Sequence, residues 1–196
     1  MLPLLNDETL VACVERCGSV SVLSALARRH GVSGPLDSQN ITRRFYRPTS
    51  HNWGFANKDD LAKVKTTYLI VRHPIHRFAS ARALLRDTNA SAPRDLTNYL
   101  VWAKYASNPH SLSTTRVVSH LPGKIIALQI ENAGEWGPEL GLTIGCANVE
   151  TYPKNETYKF TANQRDLFME VYGEDFELGG YDRPKTVQEF NKEANK

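Results

Sequence analysis

The chain has 196 residues, 41% of them hydrophobic and 23% charged, a balance that excludes a disordered or collagen-like polymer and suffices to bury a core. With 24 basic and 21 acidic residues the net charge is only +3, so no overall polyanion-binding footprint is present and no nucleic-acid partner is expected. Three cysteines, Cys13, Cys17 and Cys146, show no Cys-x-x-Cys or Cys/His spacing, which argues against a disulfide framework and against a zinc site.

Leu10–Val14 is a short apolar run that reads as a buried strand, with Gly18 in the turn after it. Ser19–His30 carries Val22, Leu23 and Leu26 at helical spacing, Arg28, Arg29 and His30 in its last turn, and Gly31 as a stop. Residues 33–40 read as a loop. Ile41–Tyr46 reads as a strand, against which Arg43, Arg44 and Arg47 count; these arginines suit either an anionic substrate or a solvated edge. Thr66–Val71 is the most strand-like run, and Ile75–Arg86 is expected to be a helix. Leu96–Ala106 is expected to be a helix packed through Leu100, Val101 and Tyr105, and Lys124–Ile130 to contain a further buried strand. Thr161–Gln164 has a capping-box pattern, opening a helix with Leu167, Phe168, Val171 and Tyr172 on one face. The sequence thus predicts one domain over residues 1–183 and a loosely held polar tail over 184–196. Strands alternating with helices predict an α/β fold of three layers, a mostly parallel sheet with helices on both faces. Cys13 and Cys146 read as small buried hydrophobes. No signal-peptide pattern and no apolar run of about 20 residues is present, so a reducing cytoplasmic location without a membrane partner is expected.

Arg72-His-Pro-Ile-His-Arg-Phe-Ala-Ser80 follows directly on the strongest strand. Pro74 has no N–H to give to a sheet, and its fixed φ suits the first turn of a helix. An arginine is therefore expected at the carboxyl end of a buried strand, with a serine hydroxyl about two turns into the next helix. Ligands of open α/β sheets collect at that edge, and a guanidinium fork plus a hydroxyl is a good donor pair for a phosphate. The alternative is a surface arginine and an ordinary helix serine. Glu15-Arg16-Cys17-Gly18-Ser19-Val20-Ser21 is read as a second anion site, a glycine turn leading into a helix N-terminus. Arg16 adds charge, and Ser19 and Ser21 add hydroxyls. A plain cap at Ser19 is the competing reading. Neither Gly-x-x-x-x-Gly-Lys-Ser/Thr nor Gly-x-Gly-x-x-Gly occurs. Two anion sites, each following a strand, fit a nucleotide phosphorylated at both ends.

In these residues the chain resembles the sulfotransferases that use 3′-phosphoadenosine 5′-phosphosulfate (PAPS). Arg-x-Pro-x-x-Arg-x-x-Ser after a strand is similar to their 3′-phosphate motif, and the Arg16-Cys17-Gly18-Ser19 turn to their 5′-phosphosulfate loop. Leu128-Gln-Ile-Glu131-Asn132 resembles a strand of that family ending in Glu-Asn, and Val171–Tyr181 its Tyr-x-x-Asp-Phe-x-x-x-x-Tyr signature. The likeness covers roughly residues 10–181 and is nearest to the branch holding the carbohydrate 2-O- and 4-O-sulfotransferases. It implies a P-loop-NTPase-like sulfotransferase fold and transfer of a sulfuryl group from PAPS to a hydroxyl acceptor, a carbohydrate being one candidate, with the bisphosphate PAP as product.

The resemblance implies that Arg72 and Ser80 hold the 3′-phosphate. Residues Arg16, Cys17, Gly18, Ser19, Val20 and Ser21 would hold the phosphosulfate, and Lys159 would sit in a loop closing over the nucleotide. It also implies His51 as general base, by analogy with a histidine after the second strand of uronosyl 2-O-sulfotransferases; a structural loop histidine is the rival reading. His73, His76, His110 and His120 are the other histidines considered. Arg16 and the helix N-terminus at Ser19 would stabilise the leaving phosphate. No metal is required by this logic, and no metal-ligand cluster is visible in the sequence. Two departures from the resemblance are expected: Val20 occupies a position where many relatives have threonine, and the membrane anchor of the eukaryotic carbohydrate enzymes is not expected here. The alternatives are a P-loop-type nucleotide or sugar kinase, and a nucleotide-binding module without catalysis. The acceptor and the oligomeric state are left open.

Overall fold

The computed structural model describes residues 4–31, 58–106, 108, 110–145 and 157–196. The expected loop over 33–40 and strand over 41–46, like His51 and Cys146, lie outside the described residues. The chain divides into two compact units, Met1–Val71 with His120–Val149 and Arg72–Ser119 with Glu150–Lys196.

The first unit is built on a four-stranded sheet of order β1-β2-β3-β4: β1 Leu4–Asn6, β2 Thr9–Cys13, β3 Thr66–Val71 and β4 Lys124–Gln129. β1 and β2 are antiparallel, while β2, β3 and β4 run parallel. The protein is thus α/β with a mostly parallel sheet. The short β1 is an addition to the sequence reading. Its hairpin turn is fixed by Asn6 Oδ1, which accepts from the Glu8 amide at 3.0 Å. Leu10, Val11, Leu69 and Ile70 are fully buried, as strands with neighbours on both sides demand. Gly123 opens β4 with φ 72°, and a Cβ there would lie 2.6 Å from the Lys65 carbonyl carbon. Only glycine lets the chain come close enough for the Lys124 amide to bond Lys65 O at 2.8 Å, which sets the register of β4 against β3.

Helix α1, Ser19–Arg29, lays Val22, Leu23 and Leu26 into a core shared with Val11, Ile70, Trp136 and Leu142. The single turn α2, Lys58–Leu61, precedes β3. After β4 a 3₁₀ turn, Ile130–Asn132, leads into α6, Ala133–Glu139.

The second unit is helical: α3 Pro74–Thr88, α4 Leu96–Tyr105, α5 Thr114–Val118, α7 Ala162–Gly179 and α8 Val187–Ala194. Pro74 stands in the first turn of α3, as expected from its missing N–H. The capping box at Thr161 and Gln164 is present. α4 differs from expectation on its buried face: Tyr99, Leu100 and Ala103 are inside, whereas Val101 is 44% and Tyr105 74% exposed. The burial stripe follows the i, i+1, i+4 set, and the apolar character of Val101 and Tyr105 does not report position. The expected loose tail forms α8. Thr186 and Glu189 make a second capping box, and Phe190 is fully buried against Phe160 and Phe168, with ring centroids 4.7 and 4.9 Å away. Asn191 and Asn195 each exchange two hydrogen bonds with the backbone, of Phe160 and Tyr158 respectively, at 2.6–3.0 Å. Among the described residues no helix is long and apolar enough to cross a membrane.

Candidate functional site

In the first unit, the loop after β2 turns sharply. The Cys17 amide donates to Val14 O at 3.1 Å, closing a four-residue turn. Arg16 occupies its third position with φ 68° and is the one non-glycine residue of positive φ among those described. That position in a type II turn ordinarily calls for glycine. Holding an arginine there costs about 1–2 kcal/mol, and such strain clusters at functional sites. Cys17 is fully buried, so its part in the loop is to close the turn. Burial, with Cys17 and Glu15 adding to it, pushes the Cys13 thiol up, away from the thiolate form.

Gly18 is the N-cap of α1, at φ 72°. A Cβ on it would lie 2.7 Å from Ile130 Cγ1, in the segment that follows β4. The Glu131-Asn132 region therefore packs its isoleucine on the loop glycine, while Asn132 itself donates to Gln129 Oε1 at 3.1 Å. Replacing Gly18 by alanine is expected to cost about 2–3 kcal/mol, combining the left-handed φ with the clash. A urea midpoint unchanged from wild type would show that the loop yields freely. Ser19, Val20 and Ser21 form the first turn of α1, half-buried, with no acidic side chain there to offset the positive helix end. Val20 packs against the first core, which accounts for an apolar residue at this position.

Cys13 is in register with Ile70, so β2 and β3 end at the same edge of the sheet. Arg72 is the next residue after Val71, the last of β3, and begins the second unit half-buried. Ser80 lies six positions into α3 from Pro74 and is likewise half-buried. Lys159 is exposed between the buried Tyr158 and Phe160, on the stretch held by α8.

Arg77, the second arginine of the motif, is 2% exposed and points inward. Its Nη1 donates to Leu112 O at 2.7 Å and stands 3.9 Å from Asp175 Oδ2. Asp175 in turn accepts from the Thr114 and Thr115 amides at 2.8 and 3.0 Å, capping α5. Tyr172 donates to Ser111 O at 2.7 Å. The Tyr-x-x-Asp-Phe segment is accordingly structural: it ties α7 to α5 and to the start of α3.

No protein-family model, no curated protein and no solved structure matches the chain.

The histidines are scattered by comparison. His120 is exposed, and the His110 amide donates to Asn108 Oδ1 at 2.9 Å in the turn before α5. His73 and His76 meet a residue that no spacing rule reveals, Glu193 of α8. Their Nε2 atoms stand 3.9 and 3.3 Å from Glu193 Oε1, and the three side chains are 12%, 26% and 18% exposed. Lys196 Nζ holds the other carboxylate oxygen. Burial draws the Glu193 carboxyl upward, but Lys196 and the two histidines outweigh it and keep the group below its ordinary range.

Proposed function

We propose that the chain is a PAPS-dependent sulfotransferase, of the three-layer P-loop-like type, acting on a hydroxyl acceptor for which a carbohydrate is the first candidate. The observation that carries this reading is the strained turn at Arg16. An arginine in a glycine position, beside a glycine that admits no side chain and ahead of a helix N-terminus, is favoured where an anion must be met by both charge and main-chain dipoles. The parallel pairing of β2 and β3 supports it, because consecutive parallel strands ending at one edge are the usual setting for nucleotides in α/β sheets.

In this reading Arg16 and the α1 N-terminus hold the 5′-phosphosulfate and stabilise charge on the leaving phosphate oxygen. Arg72 and Ser80 bind the 3′-phosphate, and anchoring the nucleotide at both ends aligns the sulfuryl group for in-line attack. His51 removes the acceptor proton. Ser19 or Ser21 supplies the hydroxyl that Val20 lacks. The side chain of Val20, half-buried against the first core and without a hydroxyl, favours one second reading, a nucleotide-binding module without transfer activity.

Thermal-shift titration with adenosine 3′,5′-bisphosphate and with ATP plus magnesium tests the proposal. The bisphosphate is expected to bind preferentially, and Arg72→Ala to weaken it about 10–100-fold, the value of a charge-assisted phosphate contact. Arg16→Gly is expected to keep or raise the thermal midpoint, since glycine relieves the turn, while weakening the bisphosphate. Preference for ATP would point to the kinase. Response to neither would end the nucleotide reading. His51→Ala should retain the bisphosphate and lose transfer to a hydroxyl; bisphosphate binding by wild type with no transfer to any sugar or phenol acceptor would favour the binding module.

A further inference from the structure

We propose that His73, His76 and Glu193 form a binding site for a divalent transition metal, with zinc the ion of best fit. One imidazole nitrogen from each histidine and one carboxylate oxygen of Glu193 lie within 4.8 Å of one another. Ligands of one tetrahedral zinc at about 2.0–2.2 Å stand roughly 3.4 Å apart. The His76–Glu193 separation of 3.3 Å already matches, while the His73–Glu193 separation of 3.9 Å and the spacing of the two imidazole nitrogens, within 4.8 Å, would close on the ion by side-chain rotation. Two imidazoles and one carboxylate are a donor set suited to zinc and its neighbours and poorly suited to magnesium or calcium, which prefer oxygen alone.

The supports of the site are also present. The His73 ring is held edge-on by Phe176 and Tyr181, with centroids 5.4 and 5.0 Å away, so its direction is set by packing. The Lys196 ammonium on the far carboxylate oxygen leaves Oε1 toward the imidazoles. Glu193 sits in the last turn of α8, whose carboxyl end favours a cation; without metal its carbonyl oxygen accepts the Nε2–H of His76 at 3.1 Å, a proton that metal binding at that nitrogen would displace. The amino end of α3 at His73 works against a cation, and the Glu193 carboxylate works for it at shorter range. Three protein ligands that remain partly open to solvent leave a fourth position for water or an exchangeable anion, the arrangement of catalytic and regulatory zinc sites. Metal binding would fasten α8 to the start of α3.

The site is independent of the nucleotide reading, and its test needs no activity. Tag-free protein stripped with a chelator is titrated with zinc chloride by calorimetry and with cobalt chloride by visible absorption. The expected result is saturable one-to-one binding, the intense visible bands of four-coordinate cobalt(II), and a zinc-dependent rise in thermal midpoint. His76→Ala and the isosteric Glu193→Gln, both checked for helical content by circular dichroism, should each weaken zinc at least about tenfold. If either variant fails to fold, the cobalt spectrum of the wild type decides. No saturable binding, or binding that both variants leave unchanged, would overturn the proposal and leave the trio as an ordinary histidine–glutamate ion pair.

Discussion

Replacing Asp175 by alanine is expected to destabilise the second unit by about 3–5 kcal/mol, the usual cost of breaking a buried ion pair from one side. The Thr114 and Thr115 amides lose their acceptor, and the Arg77 guanidinium, which is 2% exposed, loses its counter-charge 3.9 Å away. Arg77 would keep its bond to Leu112 O but face no neutralising carboxylate from Asp175, and α5 would lose its cap. The urea midpoint read by circular dichroism measures the loss; a change below about 1 kcal/mol would mean that water reaches Arg77 and replaces the carboxylate. The same residue gives a pH dependence of unusual sign. Burial raises the Asp175 carboxyl above its ordinary 3.8, while the two amides and Arg77 pull the other way without overcoming it. The folded state thus holds this proton more tightly than the unfolded chain. Its contribution to stability is fullest below 3.8 and declines as pH climbs through the folded value. The advantage of wild type over Asp175→Asn should therefore shrink with rising pH across that interval, and an advantage that grows would contradict the assignment.

Phe190→Ala is expected to cost about 3–5 kcal/mol, the range for deleting a fully buried aromatic ring. Phe190 is fully buried, and its edge contacts to Phe160 and Phe168 link it to Phe78, whose ring neighbours Tyr99, Phe160, Phe168 and Tyr172 at 5.2–6.0 Å. Collapse into the hole is restricted, because Asn191 and Asn195 pin α8 to the backbone of Phe160 and Tyr158. Near-ultraviolet circular dichroism of the aromatic cluster and the urea midpoint should fall together. Retention of both would show that α8 is dispensable.

What the sequence revealed followed from local signals. Thr66–Val71 is bounded as a strand by β-branched content and by Pro74, and α7 by its capping box; both stand where expected. The capping box at Thr186 and Glu189 was equally available, but the following stretch carries one large apolar residue, Phe190, too few for a periodicity. What made that residue a core member is the aromatic surface formed by Phe160 and Phe168, a tertiary fact. The face of α4 was misjudged for the same reason: Tyr105 is apolar in composition, yet its position on the helix leaves it in solvent. The turn at Arg16 was legible as a glycine-containing bend before a helix, whereas its left-handed arginine was not, since nothing in residue identity announces strain. Glu193 is far from His73 in sequence and belongs to no spacing pattern, so only the docking of α8 brings them together.

β2 pairs with β3 and β3 with β4 such that Thr9 lies beside Thr66 and Thr66 beside Lys124. Each pairing closes a loop of several dozen residues, and that entropy must be lost before the strands reward it. Helices of the Arg72–Ser119 stretch, by contrast, form from neighbouring residues within microseconds. During synthesis β3 waits without its second neighbour until Ile125–Leu128 leaves the ribosome, with a hydrophobic edge uncovered meanwhile. Refolding from denaturant should accordingly be slow, and its yield should fall as protein concentration rises.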